Sequence, residues 1–442
     1  MIENPYQYSS PVSIAARFTG RREAIAFVQQ HLVGAHQTNA LAIFGGPQMG
    51  KSSLLRQLPH HLDERYCAIR LSLRAGTVAG EQAWLSALAS AVPDAIALLN
   101  IQSARLPELP ARPAELRAAL LGEYMAEGLH SLRRDRHLLI LIDNAERLLI
   151  AVQQGTLPKD SFAFLAQLLA AHSHLDLLMA FDARYESDVL AVGAPFDPAL
   201  TYRLGPLPRQ ELAAALTEPV AGILDYEGAA LDAIYELTAG HPYLAQVIGW
   251  LLFEQSEARG HTEPIRVADV EAVTDRAVAL AGDTLGAVWA HGTPQERLVL
   301  TALSNLSPGE PPTPVSREEI GAWLAEAGHP LDPRTVNAAW RRLEYEGVVD
   351  LAADGKLVVV GGLRRRWLHG HVALPAPENR SLPWKRIAVV AAVALALIVL
   401  LAVLSALPGV GGSADAGATI TLNLDLQATD NAYFATQTAT AR

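Results

Sequence analysis

The chain has 442 residues, with 35 Lys+Arg against 46 Asp+Glu and a formal net charge of −11. Half of the residues are hydrophobic, with 27 Pro and 32 Gly; this excludes a mainly disordered, collagen-like or disulfide-rich protein and leaves room for two or three domains. The single cysteine, Cys67, excludes an intramolecular disulfide and a Cys-based zinc site, and the acidic balance argues against a nucleic-acid coat without excluding a local basic face.

In chain order, residues 1–36 read as an N-terminal arm ending in a helix near Arg22–Leu32. From 37 to 207 apolar strands alternate with helices. Strands are predicted at 40–45 (ALAIFG), 66–73, 137–143 (HLLILID), 176–181 (DLLMAF) and 201–207 (TYRLGPL). Helices are predicted at 51–62, 81–92, 114–134 and 160–171. Strands that are apolar throughout, separated by helices, imply a five-stranded parallel sheet covered on both faces. From 208 to 292 only helices are expected, at 208–217, 227–238, 242–255 and 267–280. Residues 293–372 read as three helices (295–306, 317–327, 334–346) and a hairpin turning at Asp354-Gly355, the order of a winged helix. A Pro-rich linker, 373–386, follows.

The mean hydropathy, +0.17, is high for a chain of this kind. The excess is concentrated at Ile387–Leu407, which carries no charge and one polar side chain, Ser405. At about 1.5 Å per residue this run matches a hydrocarbon layer of roughly 30 Å, and it lacks the polar stripe of a core helix. A transmembrane helix is therefore predicted. Arg380, Lys385 and Arg386 precede it, and no Lys or Arg follows before Arg442. The positive-inside rule then puts 1–386 in the cytoplasm and the tail 408–442 outside, an inner-membrane, single-pass arrangement. The first residues show neither a basic nor an apolar signal-peptide region.

Gly45-Gly46-Pro47-Gln48-Met49-Gly50-Lys51-Ser52 matches G-x-x-x-x-G-K-S/T, between a predicted strand and a predicted helix. A chance glycine turn would not come with that context. Gly45, Gly46 and Gly50 let the loop wrap a phosphate chain. Lys51 neutralises its oxygens, and Ser52 can ligate Mg²⁺. An acid ending the strand 137–143 would complete the metal site, and Asp143 is that acid. The next position, where many ATPases carry a water-activating Glu, is Asn144; the next acid is Glu146. Either Glu146 reaches the attacking water or turnover is slow.

These residues resemble a family. Arg17-Phe18-Thr19-Gly20-Arg21-Arg22-Glu23 is similar to the box ahead of the P-loop in STAND-type signalling ATPases and in origin-recognition AAA+ ATPases. Ile142–Leu148 resembles their D-N-x-E-x-L Walker B variant. Tyr202–Leu207 resembles the strand leading to their lid, and Thr238–Leu244 their G-x-P lid motif. Arg364–Leu368 resembles the end of their winged helix. The resemblance spans about residues 12–370. It implies ATP or ADP, with Mg²⁺, held between the α/β domain and a helical lid, with the winged helix closing over it at rest. Gly45, Gly50, Lys51, Ser52 and Ser53 would form the phosphate site, Asp143 would hold magnesium and Pro242 would contact adenine. Arg184 matches a sensor arginine that reads the γ-phosphate; a surface arginine is the ordinary alternative. His241 is a lid histidine touching phosphate or a helix N-terminal residue without a ligand.

The H-x-H pairs His172/His174 and His369/His371 lack further ligands nearby, and Cys67 reads as a small buried hydrophobe. Arg334, Arg341, Arg342 and Arg364–Arg366 could meet DNA or anionic lipid. The resulting expectation is a membrane-anchored nucleotide switch that self-associates and signals through an unknown protein partner. A DNA-binding, initiator-like regulator and an ATPase assembling an envelope complex are the alternatives.

Overall fold

The computed structural model describes residues 3–10, 18–132 and 135–374. These belong to one compact unit, Met1–Pro377. The apolar run 387–407, its basic flank, the tail 408–442 and Arg17 lie outside the described residues. Among the described residues no helix is long and apolar enough to cross a membrane.

The first module opens with α1 (Arg22–His31), β1 (Ala40–Gly45), α2 (Lys51–Gln57) and β2 (Tyr66–Ser72). Helices α3 (Glu81–Ala89), α4 (Ala91–Leu98), α5 (Pro113–Leu121) and α6 (Glu123–Ser131) precede β3 (His137–Asp143). Then come α7 (Glu146–Gln153), α8 (Ser161–Ala171), β4 (Leu175–Asp182), α9 (Glu186–Ala191) and β5 (Phe196–Leu204). The sheet order is β2-β3-β4-β1-β5, parallel throughout. Strand alternation sorts the side chains onto two cores. Leu139 and Leu141 join Leu41, Ile43 and Leu54 under α1 and α2. Leu138, Ile140 and Ile142 join Phe44, Trp84 and Phe181 on the other face. All seven β3 residues are buried. The buried polar His137 at its start is satisfied by Asp176, at 2.8 Å.

The sheet differs from expectation where proline and glycine act. The helix predicted at 81–92 is two helices, because Pro93 has no N–H to give the Ala89 carbonyl; in the first turn of α4 it needs none. The helix predicted at 114–134 breaks at Gly122, which leaves helical space at φ −119°, ψ −124°. The last strand begins at Phe196 rather than 201 and ends before Gly205-Pro206. As an edge strand it tolerates Pro198 and a register shift against β1.

A helical module follows: α10 (Arg209–Thr217), α11 (Gly228–Thr238), α12 (Pro242–Glu257), α13 (Val267–Leu280) and α14 (Gly282–His291). The third module holds α15 (Pro294–Leu306), α16 (Arg317–Glu326), α17 (Pro333–Tyr345), the antiparallel pair β6 (Val349–Leu351) and β7 (Leu357–Val359), and α18 (Gly362–His371). A bridge between Val315 and Leu357 completes its winged-helix-like order. Capping boxes at Thr293/Glu296 and Ser316/Glu319 start α15 and α16, both legible in the sequence as T-P-Q-E and S-R-E-E. Helices α7, α9, α14 and α18 have no counterpart among the expected helices.

Within 1–36, the described residues 3–10 and 18–36 pack on two different modules rather than standing apart as an arm. Helix α1 packs on the sheet through Ala24 and Val28, whereas Tyr6 is buried in the core of the helical module. There its hydroxyl donates to the Leu216 carbonyl at 2.5 Å and bonds the Tyr226 hydroxyl at 2.7 Å.

Candidate functional site

Parallel register aligns the strand ends: Gly45 sits opposite Asp182 and Leu204, and Ser72 opposite Asp143. The functional side chains collect at this carboxyl edge, where open α/β sheets bind ligands. The turn after β1 runs through the left-handed region at Gln48 (φ 54°) and Gly50 (φ 90°). Gly50 begins α2 without any side-chain cap, so the first N–H groups of that helix are available to an anion. The Lys51 ammonium donates to the carbonyls of Gly45 (2.6 Å) and Gly46 (2.9 Å). Burial lowers its pKa, against the pull of Asp182, Glu146 and Asp143.

Asp143 is buried behind α2. Its Oδ1 accepts from the Ser52 hydroxyl at 3.0 Å and from the Asn144 amide, and Arg70 stands 3.9 Å from Oδ2. Ser52 and Asp143 thus share one hydrogen bond at the point where a hard cation would take an oxygen from each. Asn144 adopts a left-handed φ of 57° and turns its amide toward Ser72. Glu146 faces the cleft and accepts from the Asp182 amide at 3.1 Å. Burial holds its carboxyl above the ordinary range. Burial would also raise Asp182, but hydrogen bonds from the Arg184 side chain and backbone outweigh it and hold Asp182 low.

Arg184 therefore stands differently from expectation. Its Nε and Nη2 donate to Asp182 at 3.1 and 3.0 Å, and it does not line the cleft. Short reach explains this: Arg184 follows Asp182 by two positions, and Asp182 caps the turn that holds both.

A cavity of about 380 Å³ joins these parts. Lys51, Ser52 and Ser53 form its inner end with Glu146 and Asp182. Pro242 and Tyr243 of α12 form the opposite wall, and residues 7–10 and 18–19 close the side. Gln7 donates to Gln246, and Tyr8 packs edge-on against Trp250 and Tyr243. Sequence reading assigned no role to this strip; its Tyr-Gln-Tyr run was the available signal. Arg21, half of the Gly-Arg pair in the box, clamps the site. Its guanidinium donates to Gly205 O (2.5 Å) and Met49 O (2.6 Å), and its amide to Glu211 (2.7 Å). Burial lowers it to about 10, with Glu211 opposing.

Residues 17–181 match the AAA ATPase domain family. No curated protein matches the chain. Among solved structures it is similar to the Walker-type ATPase PABY2304 of Pyrococcus abyssi, at 15% identity and a TM-score of 0.57, over 81% of this chain and 98% of that one. It is also similar to the Aeropyrum pernix ORC2 protein in its ADPNP–ADP complexes, at 14% identity and a TM-score of 0.55, over 83% and 96% of the two chains. At such identities the likeness is one of fold. It extends beyond the AAA match into the helical and C-terminal modules.

The residues present suit a magnesium nucleotide. A glycine turn, a buried ammonium and an uncapped helix start face the phosphate end, and Ser52 with Asp143 offers two oxygens to a cation. Gly45 and Gly46 meet Lys51 through their carbonyls and are not part of the cavity wall.

His241, the residue before α12, is buried, does not line the cleft, and leaves Nδ1 without a partner. Burial first, then the nearby Arg364 and Arg21 guanidiniums, lowers its pKa to about 3. The unfolded chain protonates His241 below about 6.5 while the folded chain stays neutral. Stability is then expected to fall with acidification between pH 6.5 and about 3, by at most about 1.4 kcal/mol per pH unit from this residue. His241→Gln is expected to flatten that part of the stability–pH curve, measured by urea unfolding. An unchanged acid slope would show that His241 does not carry it.

Proposed function

We propose that the chain is a membrane-anchored ATP/ADP switch of STAND type, with slow or conditional hydrolysis and nucleotide-dependent self-association. One observation carries the switch: the segment that lines the cleft with Asp182 also holds the C-terminal module, through Glu186. Tyr345, at the end of α17, donates its hydroxyl to Glu186. Arg203 bonds the same carboxylate at 2.8 Å, stacks 3.5 Å above the Tyr345 ring and donates to its carbonyl. A change at the phosphate end of the cleft is thereby four positions from a contact between modules.

In this reading Lys51 and the loop amides bind the phosphates, Pro242 and Tyr243 hold the base, and Ser52 with Asp143 holds Mg²⁺. The bound metal would supply charge neutralisation to the transferring phosphoryl group. Glu146, with its raised pKa, holds a proton acceptor near the reacting end. Asn144 offers none, which favours slow turnover. A nucleotide shifts the module equilibrium only as far as it binds one arrangement better. Tyr345→Phe removes one hydrogen bond to a carboxylate, worth about 1 kcal/mol, and is expected to speed release of fluorescent ADP by about fivefold. Unchanged release with an intact fold would separate the module contact from the nucleotide site.

The anchor rests on residues 387–407 and their basic flank. The full chain is expected to stay with membranes after alkaline carbonate extraction, and extraction into the soluble fraction would remove the anchor from this reading. A second reading, binding of duplex DNA, is favoured by exposed Arg334 and Arg341 on α17. It requires salt-dependent affinity that is lost on charge reversal there.

A further inference from the structure

A second cavity, of about 470 Å³, lies between α13 and the C-terminal module. It falls within the size range of small-molecule sites. Leu303, Leu357, Val359 and Leu368 supply apolar lining. Arg365 and Arg366, consecutive on α18, bring two guanidiniums to it.

The carboxylates nearby hold those guanidiniums loosely. Glu310, on the loop after α15, stands 3.8 Å from Arg365 and 3.6 Å from Arg366, beyond hydrogen-bond reach. Arg366 donates one hydrogen bond to Glu271, at 3.3 Å, and stands 3.7 Å from Asp275, but those side chains are 71% and 97% exposed, where ion pairs contribute little. Among the described residues the Arg365 guanidinium makes one direct hydrogen bond, to the Val359 carbonyl at 3.1 Å. Its Nε is buried without a hydrogen-bond partner, and burial lowers its pKa in spite of Glu310. An anion accepting directly from both guanidiniums makes shorter and stronger contacts than Glu310 does.

We propose that this cavity binds a small amphipathic anion, its carboxylate- or phosphate-type head on Arg365 and Arg366 and its apolar body against Leu303, Leu357 and Leu368. The ligand would touch both the helical module, at α13, and the C-terminal module, and occupancy would tie the two together. This site does not depend on the nucleotide reading, since it shares no residue with the cleft.

The test is equilibrium dialysis of radiolabelled octanoate against the full chain, with acetate and 1-octanol as competitors. Vesicles of phosphatidylglycerol or of phosphatidylcholine are measured in parallel. Saturable octanoate binding is expected, resistant to both competitors and at least tenfold weaker in Arg365→Gln and Arg366→Gln. The Arg366 side chain is 32% exposed against 17% for Arg365, so its variant keeps the fold if Arg365→Gln does not; circular dichroism checks both. A preference for phosphatidylglycerol that both substitutions abolish, without octanoate binding, assigns the same chemistry to a lipid headgroup. The proposal is overturned if octanoate binds wild type and Arg366→Gln equally. It is equally overturned if neither octanoate nor phosphatidylglycerol discriminates between them.

Discussion

Lys51→Ala is expected to weaken ADP and ATP binding by roughly a hundredfold, about 3 kcal/mol, while leaving the melting temperature almost unchanged. The asymmetry follows from what the ammonium does without a ligand. It is buried, burial lowers its pKa, and its partners are two carbonyls of its own loop, Gly45 and Gly46. Removing it gives up two hydrogen bonds within one loop but also relieves the desolvation of a buried charge. Against a polyphosphate the same ammonium would make charge-assisted bonds. Lys51→Met, which keeps the apolar stem, should behave alike. Titration with a fluorescent ADP analogue, beside a thermal melt, reads both quantities. Equal affinity in wild type and Lys51→Ala would remove the cleft from consideration as a nucleotide site.

Gly240→Ala should be far more damaging to the fold, by about 3 kcal/mol or more. Gly240 has φ +77°, and a Cβ there would lie 2.4 Å from the Leu207 carbonyl oxygen and 3.1 Å from Pro206 Cβ. The left-handed conformation alone costs a side chain about 1–2 kcal/mol. The clash adds to it, because its nearest atom is backbone and that backbone is fixed: the Leu207 amide donates to the Gly240 carbonyl at 2.8 Å. Ala239, at φ 50°, and Gly240 together reverse the chain between α11 and α12, which aims Pro242 and Tyr243 at the cleft. Nucleotide affinity should therefore fall with stability. Gly155→Ala is the control, since Gly155 has φ +73° with nothing within 4 Å of its Cβ position. It should cost only the conformational part, about 1 kcal/mol. If Gly240→Ala melts no lower than Gly155→Ala, the turn is not the rigid joint described here.

The phosphate end of the site was legible because its chemistry is local. Gly45 to Ser53 is one turn and the start of one helix, so residue spacing alone brings its groups together. Asp143 was legible because a charge ending an apolar strand has few other reasons to be there. Arg184 shows the limit. Its position suggested a reach to phosphate, yet a carboxylate two residues earlier captures it, and local competition of that kind depends on turn geometry. Tyr8 and Arg21 show another. Their roles come from contacts with Trp250, Tyr243, Met49 and Gly205, partners that no sequence spacing joins.

By itself, then, the sequence determined the phosphate loop, the alternation of apolar strands and helices behind a parallel sheet, the capped helices of the C-terminal module and the apolar run at 387–407. Each follows from periodicity, from a cap or from a short motif. Tertiary structure alone decided the strand order that sets Gly45 beside Asp182, and the folding of the N-terminal strip onto α12 as a wall of the cleft. It also decided the grip of Glu186 and Arg203 on Tyr345, and the second cavity under Arg365 and Arg366. The reason is physical: these features are contacts between surfaces far apart in the chain. Which surfaces meet depends on buried area and charge summed over whole modules, to which any short stretch of sequence contributes only a part.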